Sequence, residues 1–171
     1  MRDLVPEDAQ GMFELDSDPK VHAYLGNRPI KTLSQAFDNI NFIRQQYVEY
    51  GIGRWAVIEK QHGKFVGWSG FKLITDVINE RTQYYDLGYR FISKYWGKGF
   101  ATESAKASLE YGFEYLGQKE ICAMADVGHE ASNAILQKIG MRKLNVFDFD
   151  HVAHNFYEIK LVDWRSQQGK D

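Results

Sequence analysis

The chain has 171 residues, 44% hydrophobic, 26% charged and 15% aromatic, with a formal net charge of −2. That length suits one domain, 1–171, with a real core. The small charge gives no broad basic field for nucleic acid, and no apolar run reaches membrane-span or signal-peptide form. The single cysteine, Cys122, excludes an internal disulfide and a cysteine zinc cage. It is expected as a small core side chain in a reducing, cytoplasmic compartment.

Arg2-Asp3-Leu4 reads as a short first strand. Pro6-Glu7-Asp8-Ala9 opens a helix, since proline is tolerated and acids are favoured in a first turn. Met12, Phe13 and Leu15 are its apolar positions, and Asp16-Ser17-Asp18-Pro19 breaks it. A short turn around Val21–Leu25 ends in Gly26-Asn27-Arg28-Pro29. Thr32 or Ser34 caps a second helix that reaches about Tyr50, with Phe37, Ile40, Ile43 and Tyr47 on one face. Residues 55–59 and 65–71 then form a hairpin across Gln61-His62-Gly63-Lys64, and residues 84–92 add a third strand. A helix from about Phe100 to Leu116 carries Ala105, Leu109, Phe113 and Leu116 on one face, and Gly117 stops it.

Residues 120–126 read as a strand and 130–139 as a short helix ended by Gly140. Residues 141–149 and 156–162 read as two last strands around a turn containing histidine. The tail, 165–171, reads as polar and frayed. The order β-α-α-β-β-β-α-β-α-β-β predicts a mixed sheet with helices packed on it. Trp55, Trp68 and Trp96 are expected in the core. Lining a cleft is a second possibility for Trp68 and Tyr85. His22, His62, His151 and His154 have no spacing partner that marks a triad or a metal site.

Lys94-Tyr95-Trp96-Gly97-Lys98-Gly99-Phe100-Ala101-Thr102-Glu103 is the most informative stretch. It puts a glycine turn where a strand hands over to a helix N-terminus. N–H groups without helical acceptors and the helix dipole suit a phosphate or pyrophosphate there. Gly97 and Gly99 let the backbone approach a ligand without a Cβ in the way.

Residues 86–103 resemble motif A of the GNAT acetyltransferases, whose pattern is Gln/Arg-x-x-Gly-x-Gly/Ala. Lys94 stands at its first position, and Gly97 and Gly99 at the others. The form Tyr-Trp-Gly-Lys-Gly-Phe-Ala-Thr-Glu is similar to the RimJ/RimL branch, which acetylates ribosomal-protein N-termini. Residues 131–141 and the opening Arg2–Ala9 resemble the same branch.

The resemblance implies an α/β (α+β) fold. Its sheet is mixed and mostly antiparallel, with about six to seven strands, splayed between the fourth and fifth and flanked by about four helices. It implies transfer of acetyl from acetyl-CoA to a primary amine, a protein N-terminus or a small molecule, in a ternary complex without metal. The alternative is a non-catalytic acyl-CoA-binding module. The pantetheine is expected against backbone of Phe91, Ile92 and Ser93. The pyrophosphate is expected on amides of Gly97, Lys98, Gly99, Phe100, Ala101 and Thr102, with Lys98 and Lys94 adding charge.

Asp86, where the branch usually has glutamate, is the expected base, through water. An exposed strand carboxylate is its competing reading. Glu103 reads as a first-turn helix acid. Many relatives carry a tyrosine acid where this chain has Leu136. Ser132 is the corresponding donor here, with helix capping or pantetheine contact as the other reading. His129 replaces the branch's asparagine toward the cofactor, and Asn133 lies out of register. The partner is an amine acceptor, without nucleic acid or membrane, for a monomer or homodimer.

Overall fold

The computed structural model describes residues 1–169. Pro6–Asp8 makes a 3-10 turn into α1 (Ala9–Ser17), and Asp18 caps the single-turn α2 (Pro19–His22). The next helix, α3 (Leu33–Tyr50), starts at a reciprocal capping box. Thr32 accepts from the Gln35 N–H at 3.4 Å, and Gln35 accepts from the Thr32 N–H at 3.1 Å. Gly51, at φ 67°, ends it with the left-handed residue that glycine supplies without strain.

Three strands follow as a meander: β1 (Arg54–Ile58), β2 (Phe65–Ile74) and β3 (Tyr84–Phe91). Then come α4 (Phe100–Glu114), β4 (Glu120–Asp126), α5 (Glu130–Lys138), β5 (Arg142–Phe149), β6 (Val152–Lys160) and α6 (Leu161–Gln168). The sheet order is β1-β2-β3-β4-β6-β5. All neighbours are antiparallel except β3 and β4, which α4 connects as a parallel crossover.

That parallel pair meets at one bridge, Asp86 to Cys122. Beyond it the strands diverge, which is the expected splay. The fold is therefore the mixed, mostly antiparallel α/β arrangement that the sequence predicts.

Three expectations need correction. The first strand is only an isolated bridge between Arg2 and Ala56. The last strand starts at Val152 and stops at Lys160, so Leu161 and Val162 are helical. The polar tail is helical as far as Gln168, in α6, whose Trp164 buries its ring against Phe113 at 5.2 Å. Residues 170 and 171 of that tail lie outside the described residues.

One core lies under α4, α5 and α6, around Phe71, Leu109, Ile121 and Tyr157; another lies under α1 and α3, around Leu4, Met12, Leu15 and Ile40. Phe71 is fully buried against α4, whose Gly112 has no room for a Cβ: one would stand 2.9 Å from Phe71 Cζ and 2.7 Å from Ile121 Cδ1. Phe71→Ala should therefore cost about 3–5 kcal/mol, because this packed interface cannot close the cavity. Urea unfolding measures it, and a loss under 1 kcal/mol (roughly the low end for a small core deletion) would contradict the packing.

Candidate active site

The gap between β3 and β4 starts at Asp86, where their single bridge lies. The Ile92 N–H donates to Val66 O across β2 at 3.0 Å. Backbone groups alternate sides along a strand. The backbone groups of Leu87, Tyr89 and Phe91 therefore face the gap, whereas those of Ile92 face β2. The Phe91 carbonyl already accepts from the Trp96 indole at 2.7 Å. Of the expected Phe91, Ile92 and Ser93, Phe91 directs its backbone into the gap, Tyr89 joins it, and Ser93 lies past the strand in a 3-10 turn, where its carbonyl accepts from the Trp96 N–H.

The glycine turn stands at the open end. Gly97 (φ 72°) and Gly99 (φ 88°) are both left-handed, and a Cβ built on either would meet nothing within 4 Å. The first helical bond of α4 runs from the Glu103 N–H to Gly99 O at 3.0 Å. The N–H groups of Phe100, Ala101 and Thr102 thus have no helical acceptor, and no side chain caps α4. Such an arrangement can hold an anion. Lys98 lies over the Tyr95 ring at 5.1 Å, beside the turn. Lys94 lies over the same ring at 5.4 Å and also pairs with Glu14 of α1. Trp96 is half exposed rather than in the core.

Asp86 is buried, which removes the exposed-carboxylate reading. Burial pushes its carboxyl up to about 6, with Arg54 and Lys72 opposing. Its ion partner is Arg54, with Nη2 3.8 Å from Oδ2. Alternation puts Asp86, Gly88 and Arg90 on the α1/α3 face of β3. There a cavity of about 170 Å³ is lined by Met12, Asp16, Asn39, Arg54, Trp68 and Arg90, among others. The guanidinium groups of Arg54 (4.5 Å) and Arg90 (5.1 Å) both lie over the ring of buried Trp68. Arg90 donates to Asp16 at 2.6 Å, and Asn39 donates to the same carboxylate at 2.9 Å. A larger concavity, about 590 Å³, lies at the other end of the strands between Glu80–Tyr84 and Gly117–Glu120, and holds none of these residues.

Across the gap, Ser132 Oγ shares a 3.2 Å hydrogen bond with the Tyr89 hydroxyl, which also reaches Ser132 O at 3.1 Å. Burial pushes the Tyr89 phenol up to about 12, with Ser132 opposing. His129, just before α5, stacks on Tyr24 with centroids 4.4 Å apart and planes 8° from parallel. Burial lowers its pKa, so the ring is neutral at physiological pH. Asn133 is a structural hub. Its amide donates to Asp126 O and His129 O, and its Oδ1 accepts from Asn155 and Tyr157. Among the described residues no three His, Cys, Asp or Glu side chains gather as a metal site, and no helix is long and apolar enough to cross a membrane.

Residues 1–142 match the family model "Acetyltransferase (GNAT) domain". The chain belongs to the GNAT acetyltransferases. It is 33% identical over 143 residues to the uncharacterized N-acetyltransferase p20 of Bacillus licheniformis, covering 84% of this chain and 78% of that protein. A GNAT-family acetyltransferase from Bacillus anthracis superposes with a TM-score of 0.77 at 26% identity, covering 93% and 92% of the two chains. A spermidine N-acetyltransferase from Vibrio cholerae, solved with CoA and spermine, superposes with a TM-score of 0.76 at 16% identity, covering 96% of each.

Within this GNAT enzyme the structure gathers Phe91, Gly97, Gly99, Phe100, Ala101, Thr102 and Ser132 around the gap and its mouth, and sets Asp86 at its closed end. It pairs Lys94 with Glu14 and turns the Ile92 N–H to Val66. Sequence reasoning missed Tyr89, Arg54, Arg90 and Asp16. The alternation Asp86, Gly88, Arg90 carried a signal for one polar strand face. The partners on α1 and β1 carried none, because only folding brings them there.

Proposed function

We propose that this protein is an acetyl-CoA-dependent N-acetyltransferase of the RimJ/RimL-like branch. It is a single cytoplasmic domain, monomeric or homodimeric, that moves acetyl directly to a primary amine in a ternary complex. One observation carries this: the β3–β4 gap runs from Asp86 to a glycine turn whose open left-handed backbone and free N–H groups suit a pyrophosphate. The similarity to a spermidine N-acetyltransferase solved with CoA supports the same reading of the gap.

Acetyl-CoA supplies the acetyl group as a thioester. The amides of Phe100, Ala101 and Thr102 hold its pyrophosphate, and Lys98 adds charge. The backbone of Tyr89 and Phe91 pairs with the pantetheine, and an N–H in the gap faces the developing oxyanion. Asp86 takes the amine's proton through water, its pKa near 6 leaving it ionised yet basic at neutral pH. Ser132, hydrogen-bonded to Tyr89, delivers a proton to the departing thiolate.

If that pair acts as a relay, Ser132→Ala and Tyr89→Phe each lower turnover, on the order of 10²-fold, the low end for a positioned proton donor. The double variant then loses no more than the worse single one. Multiplying losses would mean that the two act separately.

A second reading, a non-catalytic acyl-CoA-binding module, draws on one observation: Asp86 is buried and does not itself line the cavity. A thiol-release assay with acetyl-CoA and a panel of primary amines decides. Thiol release with any amine supports transfer; CoA binding without release for every amine overturns it.

A further inference from the structure

The cavity on the α1/α3 face contains two arginines with different fates. Arg90 is committed to Asp16 through a 2.6 Å hydrogen bond, and Asn39 occupies the same carboxylate. Arg54 donates no hydrogen bond among the described residues, and its buried Nε has no partner. A buried guanidinium N–H without an acceptor is costly. Nothing loose about its setting explains this. It is stacked on Trp68 at 4.5 Å and lies against Gly88, where a Cβ would stand 3.2 Å from Nη2 and 3.3 Å from Nε. Its nearest anion, Asp86, is 3.8 Å away, beyond hydrogen-bond length. Arg54 is thus a fixed planar donor fork facing a cavity and lacking the carboxylate or phosphate that such a fork matches.

We propose that Arg54 binds a carboxylate on the acceptor, so that the acceptor is a small primary amine of the α-amino-acid class. This rests on the acetyl-transfer reading above and names its acceptor. Asp86 Oδ2 lies 3.8 Å from Arg54 Nη2, behind the lining of the cavity, so a small molecule with its carboxylate on Arg54 keeps its amine within reach of Asp86 through water. A polyamine is disfavoured by the same walls. It would bring two or more cations against Arg54 and Arg90, and the one lining carboxylate, Asp16, is already occupied. A peptide N-terminus has no α-carboxylate beside its amine.

The test compares matched pairs, each amino acid against the amine left on removing its carboxylate: ornithine and putrescine, phenylalanine and phenethylamine. Thiol release gives kcat/KM for each, and calorimetry on the CoA-saturated protein gives Kd. The carboxylated partner should be favoured by about tenfold or more in both, the worth of one or more hydrogen bonds to a charged group. Arg54→Gln should abolish that ratio, and Arg54→Lys should restore part of it. Equal or reversed preference in the wild-type protein overturns the proposal without any variant, so a misfolded Arg54→Gln protein does not protect it. Selective binding without thiol release for any amine supports the carboxylate site while overturning acetyl transfer. Thiol release with putrescine alone does the reverse.

Discussion

Valine in place of Gly99 should weaken CoA binding more than tenfold, a loss of about 1.4 kcal/mol or more. Two effects add. Gly99 sits at φ 88°, a conformation that costs an L-residue roughly 1–2 kcal/mol, and a β-branched residue suffers most from it. The new side chain would also project into the open space beside the free N–H groups of α4. Gly117→Val separates the two. Gly117 is likewise left-handed (φ 63°) with nothing near a built Cβ, but it follows the other end of α4. It should lose stability and keep its CoA affinity. Calorimetric titration of CoA into both folded variants gives the comparison, and a Gly99→Val protein that binds CoA like wild type would overturn the proposed pyrophosphate site.

Asp86→Asn should lower turnover about 10²- to 10⁴-fold, the range for a positioned general base, with CoA affinity unchanged. In the wild-type enzyme kcat/KM should fall as pH drops below about 6, where the Asp86 carboxylate becomes protonated. Stability gives an independent check. Burial raises the folded pKa from 3.8 to about 6, so the favourable contribution is complete below 3.8 and is lost as pH rises through about 6. Between pH 4 and pH 7 the wild-type protein should lose up to about 3 kcal/mol relative to Asp86→Asn, from roughly two pKa units. Parallel stability profiles for the two proteins would show that Asp86 is not the titrating group. A wild-type rate in the variant would exclude it as the base.

Much of the frame is legible in the sequence because its signals are local. Thr32 and Gln35 are three residues apart and announce the start of α3. Gly97 and Gly99 stand just before α4, so the glycine turn needs nothing from elsewhere in the chain. The misreadings have a common origin. Asp86 looks exposable because alternation does not say which face of a strand is covered. Nor does the sequence show that Lys94 meets Glu14, 80 positions away. The tail looks frayed until Trp164 finds Phe113 across the core.

By itself, then, the sequence determined the alternating elements, the capped helices and the glycine turn, because periodicity, caps and backbone freedom act over a few residues. The tertiary structure alone decided where the expected splay opens, at the single β3–β4 bridge of Asp86. It also decided that Arg90 is held by Asp16 while Arg54, beside Trp68, donates no hydrogen bond among the described residues. Those facts depend on strand register and on helices packing over one face of the sheet. Contacts across tens of residues follow from the whole fold and leave no local trace.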